Sequence, residues 1–135
     1  MAALELEEIL NKLASGDSMI GIDLSAVNFR GVDLSGSNLY FAMLKDADLS
    51  NANLQSCILD RANLTGATLA RANLCGASLE KANLLRANFW HAKLEGVQWQ
   101  GANLGWTIFT GATYDKMTSW PEGFNPDKAG AVLVD

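Results

Sequence analysis

A large apolar residue returns at every fifth position from Leu24 to Tyr114, through nineteen consecutive units and without an insertion. The series runs Leu24, Phe29, Leu34, Leu39 and onward by fives to Phe89, then Leu94, Trp99, Leu104, Phe109 and Tyr114. An α-helix repeats near 3.6 residues and a strand near 2, so neither regular element carries this period. Two positions before the large residue stands a smaller apolar one, usually alanine, as at Ala42, Ala47, Ala52, Ala62 and Ala67. Ile22, Val27, Val32, Cys57 and Val97 fill the same slot, and Ser37 and Thr107 are its polar exceptions. Residues two apart on an extended chain point to one side, so the pair faces inward together. The next inward residue comes three later, which a straight strand cannot supply. The chain must therefore turn in every unit. The residues between are mostly Gly, Ser, Asn, Asp and Lys, types that suit turns, and Gly31, Gly36, Gly66, Gly76, Gly96, Gly101 and Gly111 share one slot. A short strand and a corner, repeated identically, wind into a coil whose layers pair backbone to backbone at about 4.8 Å.

The motif Ala-Asn-Leu at residues 52–54, 62–64, 72–74, 82–84 and 102–104 resembles the repeat of the pentapeptide-repeat family. The resemblance implies an all-β solenoid, a right-handed quadrilateral β-helix of nearly five coils with about twenty residues in each. Its interior would be a ladder of Leu and Phe, with Ala where the space narrows. Residues 1–21 are then an N-terminal capping helix, residues 22–116 the pentapeptide-repeat β-helix, and residues 117–135 a C-terminal cap or tail.

Both ends of such a coil leave backbone unpaired, which invites aggregation unless something covers it. Leu6, Ile9, Leu10 and Leu13 fall at the spacing of an amphipathic helix. Glu5, Glu7 and Glu8 suit its first turns and Gly16 its end. After Tyr114 the period stops, and the tail offers Trp120, Phe124, Val132, Leu133 and Val134 as apolar contacts. Its phrase Trp-Pro-Glu-Gly-Phe-Asn-Pro resembles the tails of cyanobacterial members of the family. The expected arrangement is a monomer with the tail as a lid over the last coil. A dimer through the C-terminal end is the alternative that the resemblance brings.

No apolar run approaches the roughly 18 residues needed to span a bilayer. The acidic N-terminus lacks the positive charge of a signal peptide, so the expected location is cytoplasmic. Two cysteines, Cys57 and Cys75, supply neither a disulfide framework nor metal-ligand spacing. The formal net charge is −5, yet from Ile22 to Lys116 eight acids face eight bases, and the excess lies at the ends. That balance argues against a nucleic-acid surface.

Placing outward residues in columns of twenty brings Leu85, Arg86, Trp90, His91, Trp106 and Ile108 onto two adjacent faces of the upper coils. Arg86 falls beside Trp106, within reach of a cation–π contact. Apolar side chains in outward slots are the informative exceptions here, and Trp and Arg carry much of the energy of protein interfaces. The tail folding back over them is the competing arrangement. A second outward group, Tyr40, Phe41, Met43 and Ile58, is expected to lie under the N-terminal helix. Catalysis has no visible apparatus: His91 is the sole histidine, no nucleophile is spaced against it, and no phosphate or calcium loop occurs. No metal or cofactor is expected. The expected function is a non-enzymatic protein-interaction or structural scaffold module. The resemblance also brings an alternative, a DNA-mimic that inhibits or protects a type II topoisomerase (gyrase). The neutral repeat region, with bases on every face, departs from the acidic rows that such mimicry uses.

Overall fold

The computed structural model describes residues 4–135; the first three residues of the expected capping segment lie outside them. The element order is a helix α1 (Leu6–Ser15) followed by the repeat region, which ends in a strand β1 (Thr113–Tyr114) paired in parallel with β2 (Val132–Leu133). Between them the ladder consists of isolated parallel bridges, Asp23 with Met43, Asn28 with Asp48, Asp33 with Asn53, and onward at a spacing of twenty residues. The chain is a β-helix solenoid with four five-residue sides to each turn of the coil.

One unit explains the period. In residues 62–66 the Ala62 N–H donates to the Leu59 carbonyl at 3.0 Å and closes the preceding corner. Asn63 donates down to Ala42 O at 2.9 Å, and Leu64 donates up to Asn83 O at 2.7 Å. The Thr65 N–H donates to the Asn63 carboxamide oxygen at 3.0 Å, and Gly66 donates up to Leu85 O at 2.9 Å. All five N–H groups of the unit are satisfied, as buried backbone demands. The Asn or Asp of the motif is thus a turn residue whose side chain caps the corner. Asp23, Asp33, Asp48, Asn53, Asn73, Asn83 and Asn88 repeat the same contact.

The second corner residue is always left-handed, the requirement of a type II turn. Glycine meets it at no steric cost, yet eleven non-glycine residues adopt it, among them Arg71 (φ 59°), Arg86 (φ 62°), His91 (φ 54°) and Trp106 (φ 55°). Inside, Leu and Ala of the middle coils are fully buried. Phe89 stacks on Phe109 with ring centroids 5.3 Å apart, and Trp99 stacks on Trp120 at 5.5 Å. Ile9 of α1 is also fully buried, and Leu4, Leu6 and Leu13 pack against the same core. The helix ends as expected at Gly16, whose left-handed backbone lets its N–H reach Leu13 O.

One expectation fails. The helix does not cover Phe41, Met43 and Ile58, which are 49%, 44% and 40% exposed. Its Leu10 and Leu13 instead form a groove with residues 33–38 on another side of the first coil.

The tail stays in the ladder but out of register. Gln98 bridges Ser119, twenty-one residues on, while Thr113 bridges Val132, only nineteen on. Fifteen residues separate Gln98 from Thr113, and thirteen separate their partners, so the tail takes a shorter path than the coil below. Trp120 and Phe124 pack on Phe109 along that path. Residues 101–109 are left without a strand above them. Among the described residues the N–H groups of Gly101, Leu104, Trp106 and Phe109 find no acceptor, where Lys81, Leu84, Arg86 and Phe89 one coil below are all paired.

Candidate functional site

Trp106 occupies a left-handed corner on that topmost turn and is 83% exposed. Ile108, two residues on, is 47% exposed and bridges Asn88 below it. Trp90, on the next corner, is 38% exposed. Its N–H donates to the Asn88 carboxamide oxygen at 2.9 Å, which fixes the backbone that carries it. The indole is held from two sides: Arg71 lies over the ring at 4.9 Å, and the His91 imidazole meets it edge-on at 4.1 Å. Arg86 and His91 are exposed, and Leu85 is half-buried.

Glycines shape the surface around these side chains. A Cβ on Gly111 would stand 2.6 Å from His91 Nε2, and one on Gly105 would stand 3.0 Å from Leu85 Cδ1. The ring of His91 and the side chain of Leu85 therefore occupy space that only a glycine leaves free. The tail leaves Trp106, Ile108 and Trp90 open to solvent.

The cation–π contact expected between Arg86 and Trp106 does not form. Among the described residues the two such contacts are Arg71 over Trp90 and Arg61 over Phe41, the latter at 5.8 Å. Trp106 has no aromatic or cation–π partner among the described residues. Arg71 is the residue that column reasoning underused: the spacing of twenty puts it beneath His91, and so beside Trp90.

The lower group of Tyr40, Phe41, Met43 and Ile58 is a second open cluster, with Tyr40 edge-on to Phe41 at 4.7 Å. The cysteines behave as protonated thiols. Burial pushes Cys57 up to about 11. Burial, and then the Glu95 carboxylate accepting from its Sγ at 3.3 Å, push Cys75 up to about 11. Neither is an activated nucleophile.

The family profile of pentapeptide repeats matches residues 18–55 and 57–96 in eight copies, more than half of the chain. A crystal structure of a pentapeptide repeat protein from Nostoc is 26% identical, covers 99% of each chain and superposes with a TM-score of 0.52. A pentapeptide repeat protein from the Arabidopsis thaliana thylakoid lumen is 27% identical over 82% of this chain and 70% of its own, with a TM-score of 0.58. No curated protein matches in sequence. The chain belongs to the pentapeptide-repeat family.

Proposed function

We propose that this pentapeptide-repeat protein is a non-enzymatic interaction module that binds a protein partner through Leu85, Arg86, Trp90, His91, Trp106 and Ile108. The observation that carries the reading is Trp106, 83% exposed beside a 47% exposed Ile108. Large apolar side chains in outward slots of an otherwise polar surface mark contact sites. Trp90 adds a rigid anchor, since Arg71 and His91 hold its ring before any partner arrives. The scaffold is a right-handed quadrilateral β-helix of nearly five coils, the family architecture. Residues 1–21 act as its N-terminal cap, 22–116 as the rod and 117–135 as its C-terminal cap. The working unit is a monomer. No helix among the described residues is long and apolar enough to cross a membrane.

The test is affinity capture with the intact protein and with a Trp90→Ala/Trp106→Ala variant that still unfolds cooperatively. A partner held by the first and lost by the second supports the module. The same proteins on both baits remove the patch. A type II topoisomerase held only by the intact chain would move the reading to DNA mimicry.

A further inference from the structure

Resting on the reading of this face as a protein-binding surface, we infer that the partner presents an acidic side chain flanked by apolar ones. Arg71 receives its carboxylate, while Trp90, Trp106 and Ile108 take the apolar neighbours. Arg71 is not among the patch residues named above, and three observations bring it into the interface.

The first is its posture. The Arg71 guanidinium lies over the Trp90 ring at 4.9 Å. Stacking occupies one face of the planar group and leaves its N–H donors directed along the plane. That fork matches a carboxylate through two parallel hydrogen bonds. Trp90 is itself fixed, by its N–H on the Asn88 carboxamide oxygen and by the His91 ring meeting it edge-on. The donor is therefore in place before a partner arrives, which spares the cost of ordering a long side chain.

The second is that the chain supplies Arg71 with no acid of its own. The ion pairs among the described residues are Lys12 with Asp17 and Arg30 with Asp48. Arg30 shows what the same residue type does lower on this side of the rod, where it reaches Asp48 at 3.7 Å. Arg61, the other stacked arginine, borders a groove together with Asp60 and Glu80. A foreign carboxylate would meet repulsion there.

The third is the charge around the site. The upper part of this side, residues 65–71, 85–91 and 105–111, carries Arg71, Arg86 and His91 and no acid. Several acids beyond it are engaged. Asp48 accepts from the Ser50 N–H and pairs with Arg30, Glu95 accepts from Cys75 Sγ, and Asp127 accepts from the Tyr114 hydroxyl. Asp46 lies against Gly66, at the opposite corner of the side from Arg71. The exposed Glu122 belongs to the tail, between Trp120 and Phe124, which pack on Phe109 of the top coil. It stands two or more coil spacings above Arg71, roughly 10 Å, which is about one screening length in physiological salt. An acidic segment thus meets complementary charge on this side, and a basic one meets like charge.

The probe is the capped peptide Leu-Glu-Glu-Leu, titrated into the isotope-labelled full chain beside its isostere Leu-Gln-Gln-Leu and inorganic phosphate. Expected are saturable shifts of the Arg71 Nε–H and the Trp90 indole N–H with the Glu peptide, and binding about tenfold weaker for the Gln peptide. Phosphate should not saturate these signals at the same concentrations. Arg71→Gln should remove the preference for Glu, Arg71→Lys should keep only part of it, and Arg61→Gln should leave it whole. Cooperative unfolding of each variant is checked first. Equal binding of the two peptides, or of neither, would overturn the carboxylate contact, as would a preference that survives Arg71→Gln. Phosphate that displaces the Glu peptide at equal concentration would show a general anion site and overturn an acidic protein segment as its occupant. Indole shifts at Trp90 and Trp106 that are the same for both peptides would remove the Arg71 contact and keep the interaction module. Failed capture through the Trp90–Trp106 face, with no indole shift, would remove both.

Discussion

Units 62–66 and 102–106 both begin Ala-Asn-Leu, yet they end in different states. In the middle unit every N–H is satisfied. In the upper one Ala102, Asn103 and Gly105 make the same bonds as their counterparts, at 2.9, 2.9 and 3.0 Å. Leu104 and Trp106 make none. The three that persist look inward to the unit or down to the previous coil, and the two that fail look up. A pentapeptide unit thus forms its corner by itself but closes its ladder only through its neighbour, the nearest-neighbour logic of a solenoid. Stability should be concentrated in units with a coil on both sides.

The largest test of that contrast is in the core. Leu69 is fully buried, while Leu104 remains partly accessible at the open turn. Leu69→Ala should cost about 2–5 kcal/mol, as large-to-small changes in packed cores do, and Leu104→Ala less than about half of that. Denaturant unfolding of both variants measures it. Equal losses would mean that the tail closes the upper turn as completely as a regular coil.

A smaller effect separates two glycines of the same slot. Gly31 and Gly111 are both left-handed, at φ 69° and 73°. A Cβ at Gly31 meets open space, whereas at Gly111 it meets the His91 ring. Gly31→Ala should be close to neutral, since left-handed strain of about 1 kcal/mol is partly offset by a less flexible unfolded chain. Gly111→Ala should cost about 1–2 kcal/mol more, with His91→Ala relieving the excess in a double-mutant cycle. Additive changes would show that His91 does not rest on that backbone.

The two ends also differ towards acid. Hydrogen bonds from the Ser25 and Ser35 groups hold the carboxyls of Asp23 and Asp33 below the usual range. For Asp48 burial pushes upward, but the bonds from Ser50, together with Arg30, outweigh it. These groups are depressed in the folded state. Their contribution is full above the unfolded carboxyl value near 3.8 and is lost as pH falls through the folded one. The equivalent turn positions higher up are Asn73, Asn83, Asn88 and Asn103, which do not titrate. Amide exchange below about pH 4 should therefore accelerate in the lower coils before the upper ones. Loss of protection that starts near Phe109 would reverse this order.

The period of five made the inward ladder legible, because Ala and Leu positions were fixed by spacing alone. The column of twenty placed Ile108 on Asn88 and His91 beneath Gly111 by the same arithmetic. What it could not supply was the path of a segment that leaves the period. The prolines and glycines of residues 121–130 announce a break but not a two-residue shortcut, so the unpaired N–H groups beneath it were invisible. Nor could it place α1: amphipathic spacing shows which residues of the helix are buried, not which side of the first coil receives them. That is why Phe41, Met43 and Ile58 were expected to be covered.

The smallest expected effect lies where the two regions meet. Trp120 continues the column of Trp99, and the indole N–H of each is buried without an acceptor. A buried unpaired donor costs about 1–3 kcal/mol. Trp120→Phe removes that donor while keeping an aromatic ring on Trp99, and it gives up apolar area worth roughly the same amount. The two should nearly cancel, leaving a midpoint of unfolding almost unchanged. A loss as large as that of Leu69→Ala would show that volume, not the orphaned N–H, dominates at this junction. The tail would then be as tightly packed as a regular coil even where it abandons the ladder.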